Sequence, residues 1–313
     1  MNIRYLNKII GLSFVALLAT TVRAEAAVAN GVGSLINNVT NTLNGGGFYS
    51  LLSGAAYLMG LLFALTGVFK FKEHVDGQGS RNEIPLGAAI KRFVAGGMLL
   101  SLPFMSSAMQ GSLGVTGTVI SAGAMHGGGG LTGMDAMIVA FMSDIAQPAV
   151  DLLRIVAFLG AIIFLIIGII RLTKTEQEGA RGPAGLGTIM TFLTSGALFS
   201  FGNMAGAFSN SIFGSSQTAT FVNIGANVLP AADVAQVAPV IEAVMTFVYI
   251  VGLIAFLRGW FVLKSFADGN SQVSLAQAIT FLIGGSLAIN LGAVIDAVQN
   301  TVGLVGANSI TFN

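Results

Sequence analysis

Few side chains in this sequence could perform chemistry, and they lie far apart. The chain has two histidines and no cysteine, which removes disulfides, thiolate ligands and cysteine nucleophiles. His74 and His126 have no carboxylate or second histidine at a ligand spacing, and the glycine run after His126 lacks the Gly-Lys-Ser/Thr of a phosphate loop. We therefore expect no catalytic residue, no metal and no cofactor, and a function other than catalysis.

The best-placed charged pair is Asp151 and Arg154, which lie three residues apart and so share one face of a helix. Two interpretations are open. The two side chains form a buried ion pair that lines a polar path, or they lie at the membrane surface with Arg154 extending outward. Glu242 and Asp296 occupy similar positions, and the same two interpretations apply to them. No apolar stretch carries a charge near its middle, which argues against a proton-coupled pump or carrier.

The composition indicates what kind of element positions these residues. Charged residues make up 9% of the chain, against about 25% in ordinary soluble domains, and 54% of it is apolar. Glycine is frequent, at 42 of 313 residues, which suits helices that pack closely in lipid. The net charge of +1 argues against direct nucleic-acid binding. We therefore predict membrane-spanning helices surrounded by membrane lipid.

The first residues have the pattern of an export signal. Arg4 and Lys8 precede the apolar stretch 9–22, and an Ala-x-Ala site ends at Ala26. The apolar stretch has fourteen residues, which is short for a span that needs about 20. Cleavage after Ala26, cleavage after Ala29 and retention as an uncleaved anchor all remain open.

Six later stretches approach or reach the length of a membrane span. They are residues 48–69, 93–109, 152–170, 186–208, 237–257 and 275–298. The second is the weakest, because it contains Pro103 and reaches full length only by including residues 84–90 across Lys91 and Arg92. A proline is tolerated in a membrane helix when neighbouring groups satisfy the freed carbonyl, so we predict a kink there.

The cations indicate the orientation of these spans. Ten of the fourteen Lys and Arg residues lie in or beside three connections, between spans one and two, three and four, and five and six. The residues that set the topology in this way include Lys70, Lys72, Arg171, Lys174, Arg258 and Lys264. Cations are retained on the cytoplasmic side, so we expect these connections in the cytoplasm and both mature ends in the periplasm. The predicted organisation is a signal peptide (1–26), an external segment (27–47), hairpin 1 (48–109), an external Gly-rich loop (110–148), hairpin 2 (149–208), an external loop (209–236), hairpin 3 (237–298) and an external tail (299–313).

The three hairpins also share a sequence pattern. Aligning them superposes three sets of residues: Gly67, Gly168 and Gly259 in the first helices; Phe93, Phe192 and Phe281 in the second helices; and Gly97, Gly196 and Gly285 four residues later. Small residues let membrane helices approach closely, so each of these last glycines is predicted to face another helix. Copies with an even number of spans insert in the same sense. The predicted fold is an all-α membrane protein with a signal sequence followed by three tandem transmembrane helical hairpins, six spans in parallel repeats.

The first hairpin resembles a known family. Its sequence AAYLMGLLFALTGVFKFKEHVDG, followed by EIPLG and ending at Gly87, is similar to the small IcmD/DotP-type inner-membrane proteins of Icm/Dot (type IVB) secretion and conjugation systems. The later hairpins resemble the IcmC/DotE and DotV types more loosely. The resemblance implies a structural or conduit component of a bacterial inner-membrane translocation machine, in a multi-protein complex with other secretion or conjugation subunits. It supplies no catalytic residue.

Two other classes of function remain as alternatives. A pilin-like polymerising subunit also has a signal, apolar helices and a short basic cytoplasmic loop, but three linked hairpins would be difficult to extract from the membrane one by one. An autonomous channel or carrier could form from three hairpins around a pseudo-threefold axis. The shortage of polar groups in the middle of the spans argues against the latter.

Overall fold

The computed structural model describes residues 31–44, 47–76, 86–112, 133–174, 176–214, 221–304 and 306–312. These residues are almost entirely helical, so the all-helical prediction is confirmed. The helices are α1 (Val32–Asn44), α2 (Gly47–Asp76), α3 (Leu86–Leu100), α4 (Leu102–Ser112), α5 (Met134–Leu172), α6 (Leu186–Phe199), α7 (Phe201–Phe213), α8 (Ala231–Ala267), α9 (Leu275–Ile289) and α10 (Leu291–Val302). The predicted signal peptide, with both of its candidate cleavage sites, lies outside the described residues.

Three of the described helical stretches are long and apolar enough to cross a membrane: Val32–Asp76, Met134–Leu172 and Asp233–Ala267. Each of α2, α5 and α8 packs against the shorter helix that follows it. These shorter helices raise the number of candidate spans to six if each is counted together with the helix after it. We call the resulting units the first pair (α2 with α3–α4), the second pair (α5 with α6–α7) and the third pair (α8 with α9–α10).

The second member of every pair is sharply bent, which the sequence analysis did not anticipate. The angle is 84° between α3 and α4, 94° between the helical stretch ending in α6 and α7, and 78° between α9 and α10. The predicted spans 186–208 and 275–298 are therefore not straight helices. Pro103 lies just after the first bend rather than at it, in the first turn of α4, where a proline is readily accommodated.

One polar residue lies at each bend: Ser101, Ser200 or Asn290. The backbone N–H of Ser200 donates to the carbonyl of Gly196 in α6, and its own carbonyl accepts from Met204 in α7. The side chains of Ser101 and Asn290 donate to the carbonyl four residues before them. Such bonds bend helices. At each bend, the corner residue thus remains hydrogen-bonded to both helices.

Close contacts join the two helices of each pair at the residues that the sequence alignment selected. A Cβ atom at Gly67 would lie 2.8 Å from the backbone nitrogen of Phe93, and one at Gly168 would lie 3.0 Å from the ring of Phe192. In the third pair, the residue facing Gly259 is Leu282, at 2.7 Å from the Cβ position. Phe281, which the alignment had placed there, precedes it by one residue.

A second contact lies one helical turn or more further along each pair. A Cβ atom at Gly96 would lie 2.6 Å from the Ala64 nitrogen, and one at Gly285 would lie 2.7 Å from the Phe256 nitrogen. In the second pair, Ser195 donates to the carbonyl of Ala161 at 2.8 Å. Gly96 therefore occupies the close contact predicted for its neighbour Gly97. No described atom lies within 4 Å of a Cβ position at Gly97, and Gly196 is buried.

The pairs differ in how much of their surface the rest of the protein covers. Half of the most apolar stretch of α8 is buried (50%), as is 44% of that of α5, against 17% for the stretch containing α1 and α2. The buried core lies mainly among α5, α6, α8 and α9. Helix α1, within the predicted external segment 27–47, packs along α5. The N–H of Gly33 donates to Asp144 there at 2.8 Å.

A small β-ribbon covers one end of the third pair. Strand β1 (Val222–Ile224) lies in the predicted external loop, and β2 (Ile310–Phe312) lies in the predicted external tail. The strands pair antiparallel, with Val222 opposite Phe312. Their apolar side chains pack on Ala238 and Met245 of α8. Residues 222–224 of the loop and 310–312 of the tail thus pack against the third pair.

Candidate functional site at the bend between α6 and α7

A cavity of about 580 Å³ lies beside the bend of the second pair. Leu43 of α1 and Tyr49 of α2 form one wall, Arg154 and Phe158 of α5 form another, and residues 198–203 of α6 and α7 form the third. Aromatic rings surround much of it: Phe158 lies 6.1 Å from Tyr49 and 5.5 Å from Phe199, between ring centroids. We call this space the bend cavity. It is the place where irregular backbone and a charged side chain meet.

Arg154 is the charged residue of the bend cavity. Its guanidinium donates to Asp151 Oδ1 at 3.1 Å, and both side chains remain partly exposed. Gln147 also donates to both carboxylate oxygens of Asp151, at 3.0 and 3.1 Å. The predicted pair is therefore formed. It lies neither buried in the core nor fully in solvent, so the structure falls between the two interpretations of the sequence.

The start of α7 contributes polar groups to the same cavity. The first N–H groups of a helix have no carbonyl partner within it, and they carry partial positive charge. In α7 these belong to residues 201–203, which line the cavity. Ser200 occupies the capping position without making a side-chain cap. Its side chain is 8% exposed, and among the described residues its hydroxyl has no hydrogen-bond partner.

A second charged cluster joins the second and third pairs at their connections. Arg171 at the end of α5 contacts Asp268 after α8 through two hydrogen bonds of 2.6 and 2.9 Å. Lys264 approaches the same carboxylate at 2.7 Å, and Thr191 accepts from Arg171. Burial alone would raise the pKa of Asp268, but the hydrogen bonds from Arg171 and Lys264 outweigh it and hold that pKa below its ordinary value.

The remaining predicted topology residues lie in varied surroundings. Arg258 is exposed and lies over the ring of Phe281 at 4.7 Å, and Lys264 lies 5.1 Å from the ring of Phe164. Lys72 is exposed, whereas Lys70 and Lys174 are partly buried. The described residues contain no group of three or more His, Asp and Glu side chains that could hold a metal ion.

Glu242 and Asp296, for which the sequence left a polar path and the membrane surface open, both accept hydrogen bonds from backbone N–H groups. Glu242 is fully buried in α8, and its Oε1 accepts from the N–H of Val222 in β1 at 2.9 Å. Asp296 in α10 accepts from the N–H of Phe312 in β2 at 3.2 Å. Each acid thus fastens one strand of the ribbon. Sequence reasoning missed this role because the partners are backbone groups, which leave no residue pattern.

Comparison with known proteins gives no match: no family model, no curated protein and no solved structure is similar to this chain.

Proposed function

We propose that this chain is a structural or conduit component of a type IVB secretion or conjugative DNA-transfer apparatus in a bacterial inner membrane. The observation that carries the proposal is the first pair, in which the sequence FKFKEH ends α2 and IPLG leads into α3. The proposed partners are membrane lipid and the other subunits of the apparatus. The proposed orientation places the connections that carry the cations in the cytoplasm.

The geometry of the pairs supports the further proposal that they are three copies of one hairpin. The bends lie eight residues after Phe93, Phe192 and Leu282, at positions 101, 200 and 290. The residues that face these three, Gly67, Gly168 and Gly259, are the glycines superposed by the sequence alignment. A shared origin accounts for the agreement between contact positions and bend positions, provided that the third copy is aligned on Leu282 rather than Phe281.

The exposed surface of the first pair supports work inside a larger assembly. Its long helix α2 presents exposed apolar side chains on several sides, among them Leu58, Leu61 and Phe71. In a membrane protein, such a surface is covered by lipid or by other membrane subunits. The second and third pairs already use much of their surface on one another, so the first pair has the most surface to offer to other subunits.

The test of this proposal is genetic and biochemical. We expect deletion of the gene to abolish substrate or DNA transfer while growth and membrane energisation stay normal. A tagged full chain, extracted in mild detergent, should migrate with other secretion subunits. Normal transfer by the deletion strain would overturn the proposal.

The bends favour a second candidate, an autonomous channel or carrier. Transporters use broken helices at binding sites, because irregular backbone is tolerated at membrane depth where it lines a cavity. Irregular backbone, at residues 198–203, also lines the bend cavity. Purified protein in liposomes distinguishes the candidates: selective ion conduction or solute transport would favour the second. The pilin-like alternative predicts filaments containing the chain.

A further inference from the structure

We propose that the bend cavity binds a phosphate group, presented by the headgroup of an anionic phospholipid. The proposal rests on four features that meet in one place: the Arg154 guanidinium, the free N–H groups at the start of α7, the unpartnered Ser200 hydroxyl and a cavity of about 580 Å³. Together they offer a fixed positive charge, a helix N-terminus and a neutral donor. Phosphate oxygens accept from all three kinds of group.

The difference between the three bends supports a ligand at this one. At the other two bends, the side-chain donor is used within the helix: Ser101 donates to the Gly97 carbonyl at 2.9 Å, and Asn290 Nδ2 donates to the Ser286 carbonyl at 3.2 Å. The Ser200 hydroxyl makes no such bond, although it is largely buried. A hydroxyl that lines a cavity and has no partner in the described chain is free to donate to a ligand oxygen there.

The depth of the site suits a lipid headgroup. Arg154 and Arg171 lie on the same helix, seventeen residues apart (154 to 171), which corresponds to about 26 Å along the axis. The hydrocarbon core of a bilayer is about 30 Å thick. With Arg171 at one membrane surface, Arg154 therefore lies near the other, at the level of the lipid phosphates. The aromatic and aliphatic side chains of the cavity wall are suited to contact with the adjoining acyl chains.

Asp151 gives the proposal a feature that a purely structural ion pair would lack. Its carboxylate accepts a hydrogen bond from Arg154 and lowers the positive potential in the cavity. If the cavity binds phosphate, Asp151 and the ligand compete for the same guanidinium. Removing the charge at Asp151 should then strengthen binding, whereas removing the charge at Arg154 should weaken it. An ion pair that served stability alone would make both substitutions harmful.

The experiment is a lipid titration of the purified full chain in detergent, read by native mass spectrometry. The probe is phosphatidylglycerol, and diacylglycerol with the same acyl chains is the control without phosphate. We expect saturable binding of the phospholipid and weaker binding of diacylglycerol. Arg154→Gln should reduce the affinity for phosphatidylglycerol about tenfold or more, and Ser200→Ala should reduce it about threefold. Arg181→Gln, at an exposed cation elsewhere, should leave it unchanged.

Asp151→Asn provides the deciding measurement if Arg154→Gln does not fold. It should raise the affinity about threefold, and equal or weaker binding would overturn the proposal. Equal binding of diacylglycerol, or unchanged binding by a folded Arg154→Gln protein, would also overturn it. Millimolar inorganic phosphate tests whether the ligand is a lipid or a soluble anion. If it displaces the lipid, and Arg154→Gln abolishes the displacement, the cavity recognises phosphate but its ligand is a soluble anion, which would overturn the assignment to a lipid. Absence of competition, with the expected variant effects, assigns the site to the lipid.

Discussion

The carboxylates that join separate elements of the chain are bound in different ways at the two ends of the helix pairs. At the end where α5 and α8 finish, which we call the basic end, Asp268 is bound by the cationic side chains of Arg171 and Lys264. At the other end, which we call the far end, Glu242 and Asp296 accept hydrogen bonds from backbone N–H groups of the ribbon. Asp144 does the same with the start of α1.

This difference follows from where the chain places its cations. The connections between helices at the basic end are rich in Lys and Arg, so a buried acid there can be neutralised by side chains. At the far end, Arg154 is the one cation on the described helices. Backbone N–H groups bind the carboxylates there instead of cationic side chains. The side-chain pair of Arg171 and Asp268 joins the ends of two helices, whereas the carboxylate–amide bonds hold the ribbon and the start of α1 to the helices. We therefore expect substitutions at the two ends to have different effects on thermal unfolding and on hydrogen exchange.

The largest effect is expected from Arg171→Gln at the basic end. The substitution removes two hydrogen bonds to Asp268 and leaves Lys264 as its cation. The loss of unfolding free energy should therefore be smaller than the roughly 3–5 kcal/mol typical of a buried charge left uncompensated. Thermal unfolding of the full chain in detergent measures it. Arg181→Gln, at an exposed cation of the same end, should cost less than about 0.5 kcal/mol. Equal melting temperatures for the two variants would show that the cluster contributes no stability.

At the far end, Glu242→Ala should release the ribbon. It leaves the buried N–H of Val222 without an acceptor, which costs about 1–3 kcal/mol. We expect faster hydrogen exchange at Val222 and in residues 310–312, with little change around Asp268. Glu242→Gln keeps a carbonyl acceptor and should show a smaller increase in exchange. If these residues exchange as slowly in Glu242→Ala as in the unsubstituted protein, the Glu242 carboxylate does not hold the ribbon.

Between the two ends, the helices of each pair meet without charge, and a matched pair of glycines tests that contact. Gly96→Ala places a methyl group against the backbone of α2, and overpacking of this kind typically costs about 1–3 kcal/mol. Gly97→Ala meets no described atom within 4 Å and should leave stability unchanged. Thermal unfolding compares the two. A lower melting temperature for Gly97→Ala than for Gly96→Ala would mean that Gly97, and not Gly96, faces α2.

The smallest effect is a pH dependence that belongs to the basic end. The folded pKa of Asp268 lies below the ordinary aspartate value of about 3.9. Its contribution to stability is therefore complete above that value and is lost as the pH falls through the folded pKa. Melting temperatures measured from pH 6 downward should decline less steeply below pH 4 in Asp268→Asn. If the melting temperatures of Asp268→Asn and of the unsubstituted protein fall in parallel, Asp268 is not the origin of the pH dependence.

Much of the helical framework could be predicted from the sequence because it depends on local properties. The apolar stretches that start at Leu186 and Leu275 begin helices at those residues. The contacts at Gly67 and Gly168 were also accessible, because a glycine and an aromatic residue recurred at matching distances. The bends were not. A single Ser or Asn in an apolar stretch is usually tolerated within a straight helix, and only the hydrogen bonds of the folded chain show a corner there.

The remaining differences have equally physical origins. Each residue turns a helix by about 100°, so a choice between the adjacent Gly96 and Gly97 decides which face packs, and the sequence does not distinguish them. Arg171 and Asp268 are 97 residues apart, and a contact at that separation leaves no local pattern. The bend cavity forms where α1, α2, α5 and α6 meet. The sequence could therefore indicate single residues such as Arg154, but not that they line one cavity.

Cysteine labelling determines whether the basic end and the far end face opposite sides of a membrane. The chain has no cysteine, so single substitutions report without background. Ala180→Cys lies at the basic end and Ala231→Cys at the far end, and both positions are exposed. In cells with a permeabilised outer membrane and an intact inner membrane, an impermeant maleimide should label Ala231→Cys alone, and Ala180→Cys should react only after the inner membrane is disrupted. Labelling of Ala180→Cys while the inner membrane is intact would show that the basic end does not face the cytoplasm.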